Sequence, residues 1–344
     1  MQSRNTFCLR GRDIPIESVN VLVTTPVGDE SRRKIMAISP RIKLTDASEL
    51  LREDLKGNTA AQQEFSSLLA DTEVIYGRIP RNFVTRAPML KWIQLMSAGV
   101  NMFTDTGVTE TTVKITTIRG VQSTPIAEFV LAFMLMFIKQ APACFQMKQE
   151  NAWKSLSPGE LRGKTVGIIG LGSVGREVAR LSKAFGMTVI ATRRSAGPDD
   201  RAKYVDTLLP SAQMKQLMTE SDFVVIAIPL TRETTKLIGE AELSVMKPSS
   251  YLINIARGNV VDEKALVRTL EDKRIAGAGL DVFSAEPLPP TSRLWELPNV
   301  IISPHIAGVF EDRAEQAIGM FLDNLKRYLD GKRLLNVVDK NKGY

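Results

Sequence analysis

The chain has 344 residues, of which 44% are hydrophobic and 24% charged, and its formal net charge is +7. This composition is typical of a globular protein rather than a disordered one, and the length favours two domains over one. Acidic residues are interspersed among the basic ones, which argues against a nucleic-acid-binding surface and suits an enzyme that binds anionic substrate and cofactor.

Cysteine and histidine are too rare for several kinds of site. Two cysteines, Cys8 and Cys144, cannot build a disulfide framework, and with His305 as the only histidine a His/Cys metal centre is disfavoured. The start of the chain lacks the apolar core of a secretory signal, and the longest apolar run, IAEFVLAFMLMFI, is interrupted by Glu128 and too short to span a bilayer. We therefore expect a cytoplasmic protein that binds no metal, nucleic acid or membrane.

The first part of the chain is predicted to form an α/β unit of roughly 120 residues. Its end is marked by Pro125, which begins a long apolar helical pattern, since proline is tolerated in the first turn of a helix. An all-round apolar helix is expected to be buried, here between domains or subunits, and Pro142 is expected to kink it. The predicted strands of this part are 19–24, 73–76 and 90–100, and its predicted helices are 46–56 and 60–70.

From Lys164 onward, short apolar strands alternate regularly with helices. This alternation is typical of a parallel, doubly wound sheet. After Gly308 a last amphipathic helix is predicted, ending at Gly331. The predicted strands are 165–170, 187–192, 222–229, 250–256, 275–282 and 299–303, and the predicted helices are 173–185, 210–219, 240–246 and 262–272.

A glycine-rich hexapeptide, GLGSVG, follows the first of these strands and opens a helix. This is the context that the dinucleotide-binding fingerprint requires. Gly170 permits a tight turn, Gly172 lets the backbone approach a pyrophosphate, and Gly175 lets helix and sheet pack closely. Ser173 and Val174 lie at the start of the helix, whose free N–H groups face the phosphates. The alternative is a tight turn that binds no ligand.

The end of the second strand indicates which dinucleotide is bound. An NAD site usually carries Asp or Glu there, about 20 residues into the motif, to accept hydrogen bonds from the ribose hydroxyls. Here Thr192 is followed by Arg193, Arg194 and Ser195, and no carboxylate appears before Asp199. Because arginine matches phosphate oxygens bidentately, these residues predict a preference for NADP(H), with NAD(H) as the second choice. The alternative is a solvated arginine pair.

Three further stretches each follow a predicted strand, and together with GKTVGIIGLGSVGREVA they closely resemble the D-isomer-specific 2-hydroxyacid dehydrogenases. The resemblance is strong between 160 and 310 and weak over the first 70 residues. It implies a doubly wound parallel-sheet Rossmann domain inserted in a second, smaller flavodoxin-like α/β domain. The three stretches are INIARGNVVDEKAL (253–266), GLDVFSAEPLP (279–289) and SPHIAG (303–308).

The implied domain order is a substrate domain over 1–125, a dinucleotide-binding domain over 126–308, and a tail over 309–344 that returns to the substrate domain. The long helix after Pro125 resembles the segment through which family members form dimers. We therefore expect a homodimer.

The resemblance places three catalytic residues on this chain: Arg257, Glu286 and His305. Reduction of a 2-keto acid needs a hydride, which nicotinamide supplies, and a proton, which imidazole supplies well near neutral pH. A carboxylate beside the ring favours imidazolium, which is the role expected of Glu286. Arg257 is expected to hold the substrate carboxylate. Taken singly, Arg257 could merely cap a strand end, and Glu286 could be an ordinary exposed acid.

Other site residues also follow from the resemblance. Asp281 matches an aspartate that contacts the nicotinamide carboxamide, although an Asp after a buried strand can also simply cap a turn. Pro229 and Thr234 match positions on the adenosine side, or are plain loop residues. Ala256 and Gly308 complete the predicted cofactor contacts.

Two segments are expected to contact the substrate. The stretch MSAGVNMF resembles a loop whose backbone N–H groups hold the substrate carboxylate, around Ala98 and Gly99, unless it is a simple turn; Asn101 stands where Asp is common and is not carried over. Arg78, in YGRIP, is predicted to bind substrate, either through the substrate carboxylate or through a second anionic group, unless it is only solvated.

These observations predict an NAD(P)-dependent oxidoreductase that interconverts small D-2-hydroxy acids and 2-keto acids such as glyoxylate or hydroxypyruvate. The alternative is a dinucleotide-sensing binding protein, similar to the transcriptional corepressors that are built on the same scaffold.

Overall fold

The computed structural model describes residues 18–79, 82–100, 108–197 and 199–342. The chain divides into two compact units. The smaller comprises the described parts of 1–96, 103–117 and 317–338, and the larger those of 97–102, 118–316 and 339–344. Among the described residues the chain passes between the units at 96/97, between 100 and 108, and at 117/118, 316/317 and 338/339, whereas the predicted domain boundaries are 125 and 308. The turn before the long helix belongs to the larger unit, where the Gln122 side chain hydrogen-bonds the Gly308 carbonyl oxygen.

The smaller unit is built on five parallel strands in the order β2-β1-β3-β4-β5. This is the order of flavodoxin-like sheets, which the resemblance implied. The strands are β1 (Val19–Val23), β2 (Ile42–Asp46), β3 (Val74–Gly77), β4 (Trp92–Leu95) and β5 (Lys114–Thr116), and the helices are α1 (Asp29–Met36), α2 (Ser48–Leu55), α3 (Thr59–Ala70), α4 (Phe83–Arg86) and, beginning in the larger unit and mostly in this one, α11 (Arg313–Leu329).

Aromatic side chains join the last helix to the sheet of this unit. Phe321 of α11 stacks on Tyr76 of β3 with ring centroids 4.5 Å apart and also contacts Trp92 of β4. The indole N–H of Trp92 donates to the hydroxyl of Thr116 at 2.8 Å, so its polar atom is paired inside the core. The C-terminal helix is thus an integral part of the smaller unit.

The larger unit is built on seven parallel strands in the order β12-β11-β10-β9-β6-β7-β8. The order reverses direction at β6, which makes this a doubly wound Rossmann sheet and confirms the predicted fold class. The strands are β6 (Thr165–Ile169), β7 (Thr188–Arg193), β8 (Thr207–Pro210), β9 (Phe223–Ile226), β10 (Tyr251–Asn254), β11 (Gly277–Leu280) and β12 (Val300–Ile302). The helices are α5 (Ser123–Ile138), α6 (Ala141–Gln149), α7 (Ser173–Ala184), α8 (Met214–Glu220), α9 (Glu240–Leu243) and α10 (Glu263–Glu271).

The long apolar pattern after Pro125 forms two helices instead of one kinked helix. α5 and α6 are bent by 64° from each other, and the break lies at Gln140, which adopts a left-handed φ of 57°. Pro142 lies in the first turn of α6, where proline is tolerated, so the predicted kink is present as a break two residues before this proline. α5 is buried against the sheet, since a Cβ on Gly279 of β11 would lie 2.9 Å from the ring of Phe133.

In the described part of the chain no single helix is both long and apolar enough to cross a membrane, and the bent pair α5 and α6 meets that test only by length and composition.

Candidate active site at the carboxyl edge of the larger sheet

The glycine-rich turn joins β6 to α7 with the geometry of a phosphate-binding loop. Gly170 has φ +100°, and a Cβ there would lie 2.7 Å from the carbonyl oxygen of Ala227. A Cβ on Gly175 would lie 2.1 Å from the carbonyl oxygen of Gly170, so helix and strand approach each other through both glycines. Gly172 is different: nothing lies within 4 Å of its Cβ position, and it begins α7 without a side-chain cap. The helix N-terminus is thus open to an anion, as a pyrophosphate requires.

The segment after β7 carries the two predicted arginines. Thr192 is buried, and its hydroxyl accepts a hydrogen bond from the Gly170 N–H at 3.3 Å, which ties this strand end to the glycine-rich turn. Arg194 and Ser195 are exposed, whereas Arg193 is half-buried and forms an ion pair with Asp200. The cationic groups therefore lie where the 2′-phosphate of NADP was predicted, together with one carboxylate that the strand pattern did not include.

The loop after β9 lies beside these arginines. Thr234 is buried, and its hydroxyl donates to the Pro229 carbonyl oxygen at 2.7 Å, so Thr234 closes this loop on itself. The pKa of Glu233 in the same loop is lowered, first by a hydrogen bond from the Thr231 hydroxyl and further by the positive charge of Arg194. The positive charge of Arg194 therefore reaches the loop after β9, while the predicted cofactor contacts of Pro229 and Thr234 stay predictions.

Arg257 stands on a turn after β10 that Asn254 holds. The Asn254 amide oxygen accepts from the Ala256 N–H at 3.0 Å, and its amide nitrogen donates to the Arg257 carbonyl oxygen at 3.1 Å. The Arg257 guanidinium donates to the Ala256 carbonyl oxygen at 2.6 Å. Burial lowers the pKa of Arg257, and the negative charge of Glu286 partly opposes that change. The Arg257 guanidinium and the Glu286 carboxylate therefore interact electrostatically.

A glycine lets this turn contact the next strand end. A Cβ on Gly258 would lie 1.9 Å from the carbonyl carbon of Phe283, which leaves no room for any side chain. Phe283 also donates its N–H to the Glu286 carboxylate at 3.0 Å, which fixes one oxygen of that group. The segments that carry Arg257 and Glu286 are thus in direct backbone contact.

The other carboxylate oxygen of Glu286 lies 2.7 Å from Nδ1 of His305. This pair is half-exposed rather than buried. His305 follows β12 and has a left-handed φ of 56°, an uncommon conformation that His adopts more readily than most residues. Because Nδ1 faces Glu286, Nε2 is the ring atom left to exchange a proton with a substrate.

Asp281 anchors the loop that carries the histidine. Its side chain is 1% exposed. One carboxylate oxygen accepts from the Ser303 hydroxyl at 2.6 Å and the Ile306 N–H at 2.8 Å, and the other accepts from the Ala307 N–H at 3.0 Å. In this structure Asp281 therefore caps a turn, the alternative considered for it, while its predicted contact with nicotinamide stays a prediction.

The remaining predicted positions lie in two places. Ala98 and Gly99 belong to the larger unit, where the Ser97 hydroxyl donates to the Gly99 carbonyl oxygen at 2.8 Å and makes the predicted turn. Arg78 is an exposed residue of the smaller unit. Asn101, like Cys8, lies outside the described residues.

Three contributions were missed from the sequence: the Asn254 amide in the turn of Arg257, the Asp200 carboxylate on Arg193, and the Gln122 side chain on Gly308. The INIARG motif could have revealed Asn254, because an Asn that follows a buried strand often bonds to nearby backbone. No local signal links Asp200 or Gln122 to its partner.

Comparison with known proteins agrees with this geometry. The profile of the D-isomer specific 2-hydroxyacid dehydrogenase NAD binding domain matches residues 131–307, more than half of the chain. A glyoxylate reductase of Thermococcus litoralis is 32% identical over 78% of this chain and 82% of its own length. A glyoxylate/hydroxypyruvate reductase B of Pectobacterium carotovorum is 36% identical over 76% of this chain and 83% of its own length.

Solved structures show the same fold. The NADPH-dependent glyoxylate/hydroxypyruvate reductase of Sinorhizobium meliloti, crystallised with NADP and sulfate, superposes with a TM-score of 0.79 and 26% identity over 95% of this chain and all of its own. The chain is therefore a member of the D-isomer specific 2-hydroxyacid dehydrogenase family of NAD(P)-dependent oxidoreductases, and residues 131–307 match that family's NAD-binding domain.

Proposed function

We propose that this enzyme is an NADP(H)-preferring reductase of small 2-keto acids, forming D-2-hydroxy acids, with glyoxylate and hydroxypyruvate as the leading substrates. The observation that carries the proposal is the arrangement of His305, Glu286 and Arg257 at adjacent strand ends of the nucleotide-binding sheet. Relatives named as glyoxylate or glyoxylate/hydroxypyruvate reductases support this substrate class.

In the proposed reaction each side chain has one task. Arg257 binds the substrate carboxylate and polarises the keto group through its fork of donors. Bound nicotinamide supplies the hydride. His305 donates a proton from Nε2 to the keto oxygen, and Glu286 holds the ring through Nδ1 and stabilises its protonated form. In the oxidative direction His305 accepts the proton instead.

The residues present fit a phosphorylated dinucleotide. Gly170, Gly172 and Gly175 shape a turn that leaves the start of α7 open, which suits the pyrophosphate. Arg193 and Arg194 would hold the 2′-phosphate, because guanidinium groups match phosphate oxygens. Structures of relatives from Xanthobacter autotrophicus and Sinorhizobium meliloti contain NADPH and NADP, which supports this choice.

The proposal includes cofactor and substrate contacts at other positions. Ser173 and Val174 start α7 and would contribute backbone N–H groups to the phosphates. The remaining proposed contacts are with cofactor at Pro229, Thr234, Ala256, Asp281 and Gly308, and with substrate at Ala98, Gly99 and Arg78.

A homodimer is also proposed, through α6 and the segment after it. α6 has no buried residue in the isolated chain, Phe145 on it is 58% exposed, and Trp153 is fully exposed. Exposed aromatic side chains are enriched at protein–protein interfaces. A second copy of the chain is the partner that the family resemblance favours.

A panel of 2-keto acids with both reduced cofactors tests the proposed activity. We expect oxidation of NADPH with glyoxylate or hydroxypyruvate at a higher kcat/KM than oxidation of NADH. His305→Asn is the control: it should lower kcat about 10²–10⁴-fold, the usual contribution of general acid catalysis, with cofactor affinity unchanged.

Two outcomes would contradict the proposal. Tight cofactor binding without turnover on any acid would favour the dinucleotide-sensing protein instead. Near-full activity of His305→Asn would remove His305 from the mechanism, since the chain has no other histidine to replace it.

A further inference from the structure

Asp200 is a carboxylate beside the proposed 2′-phosphate site, and it takes no part in the reaction proposed above. Its Oδ2 is ion-paired with Nη2 of Arg193, seven positions earlier at the end of β7. The same oxygen accepts a hydrogen bond from the Gly197 N–H at 3.2 Å, which holds the carboxylate in place. The loop after β7 thus places a carboxylate against the arginine at the end of that strand.

We propose that Asp200 determines cofactor specificity: it weakens NADP(H) binding by neutralising Arg193 and supports NAD(H) binding by accepting from the ribose hydroxyls. The enzyme would then use both cofactors. Its preference for NADP(H) over NAD(H) would be smaller than that of a site with the two arginines and no Asp200. This inference rests on the proposed NAD(P)-dependent function.

A 2′-phosphate at this site would meet an arginine that is already paired with a carboxylate. Arg193 is 29% exposed, and its Nε is buried with no hydrogen-bond partner among the described residues. A phosphate must therefore be held by the Nη groups, and Asp200 already engages one of them. Because carboxylate and phosphate carry the same sign of charge, each opposes the other at this guanidinium.

The other oxygen of the Asp200 carboxylate, Oδ1, can accept a hydrogen bond from an unphosphorylated ribose. NAD-binding Rossmann sites place a carboxylate at the end of the second strand, where it accepts from the ribose 2′-hydroxyl. Asp200 is 42% exposed, and none of the described residues hydrogen-bonds to its Oδ1. A ribose without a phosphate would thus find an acceptor beside the strand end.

Equilibrium titration of NADPH and NADH, followed by nicotinamide fluorescence, tests this without turnover. Asp200→Asn keeps the size of the side chain and an oxygen that can accept from Gly197. It should bind NADPH about fivefold more tightly, because an exposed ion pair contributes up to about 1 kcal/mol of free energy. It should bind NADH more weakly. The matched control is Asp199→Asn, an exposed neighbour, which should change neither dissociation constant.

A second pair of variants tests whether Asp200 acts on NADPH binding through Arg193. In an Arg193→Gln background, Asp200→Asn should no longer improve NADPH binding, because the guanidinium that Asp200 pairs with is absent. Weaker NADPH binding by Asp200→Asn would show that Asp200 supports Arg193 instead, and an unchanged ratio of the two dissociation constants would also overturn the inference. Failure of the wild-type enzyme to bind either cofactor would instead overturn the proposed function itself.

Discussion

A single buried carboxylate fixes the backbone on which the proposed proton donor stands. A non-glycine residue with positive φ costs on the order of 1–3 kcal/mol, and His305 has φ 56°. The three hydrogen bonds that Asp281 accepts from the same loop offset that cost. The imidazole is therefore oriented from both sides, through its backbone by Asp281 and through Nδ1 by Glu286.

Replacing Glu286 by Gln tests the partnership at this scale. The amide is isosteric but uncharged, so it no longer favours the protonated imidazole. Keto-acid reduction needs that proton, so loss of the charged partner should slow the proton-transfer step. We expect Glu286→Gln to have a lower kcat for keto-acid reduction than the wild type, with an unchanged dissociation constant for NADPH.

Glu296→Gln is the control for this experiment, because Glu296 is an exposed acid paired with Arg293 and not with the histidine. Its kcat should match that of the wild type. If kcat of Glu286→Gln did not fall either, Glu286 would have no effect on the proton donor.

At the scale of elements, the site depends on how closely the turn after β10 approaches the segment after β11. Gly258 permits this approach, since its Cβ position nearly coincides with the Phe283 carbonyl group. The obstacle is backbone, which cannot rotate away as a side chain can. A substituent at Gly258 must therefore separate the two segments that carry Arg257 and Glu286.

Gly258→Ala should thus lower both stability and activity. Overpacking costs about 1–3 kcal/mol, which thermal unfolding should detect as a lower Tm. A displacement of the site by about 1 Å can cost 10²-fold in rate, so kcat/KM should fall by one to two orders of magnitude. Gly319→Ala, in α11 with nothing within 4 Å of its Cβ position, should leave kcat/KM unchanged and should not destabilise the protein. An active Gly258→Ala enzyme would mean that the close contact is not needed.

The predicted elements were those with strong apolar patterns. The six strands predicted after Lys164 all exist, because buried parallel strands are continuous apolar runs. The edge strands β2, β5 and β8 were missed. Only Ile42 of β2 and only Leu209 of β8 are buried, and β5 has only three residues. α1 was missed for the same reason, since its sequence, DESRRKIM, buries only Ile35. Short polar elements at a sheet edge depend on their neighbours more than on their own sequence.

At the scale of the whole molecule, the parallel order of the larger sheet explains why distant motifs form one site. The carboxyl ends of parallel strands share an edge, so the segments after β6, β10, β11 and β12 lie along one side of the sheet. The motifs and this topology were predictable from the sequence. The pairing of Asp200 with Arg193 was not, because it depends on how an irregular loop folds back.

Two exposed aromatic side chains bear on how the enzyme assembles. In the larger unit α5 is buried, whereas α6 and the segment after it present Phe145 and Trp153 to the surface. A fully exposed tryptophan is unfavourable in water, since burying a large aromatic side chain contributes about 1.5–3 kcal/mol. In the proposed homodimer a second copy of the chain buries both residues.

The double variant Phe145→Ser, Trp153→Ser should therefore shift the enzyme from dimer to monomer, measured by light scattering after size-exclusion chromatography at micromolar concentration. Large aromatic residues at the centre of an interface often cost more than 2 kcal/mol each when truncated, so dissociation should increase by at least tenfold. Trp295→Ser is the matched control, because Trp295 of the same unit is also 54% exposed but lies away from α6 in the chain. It should leave the dimer intact. A wild-type monomer, or a double variant that remains a dimer, would place the interface elsewhere or exclude it.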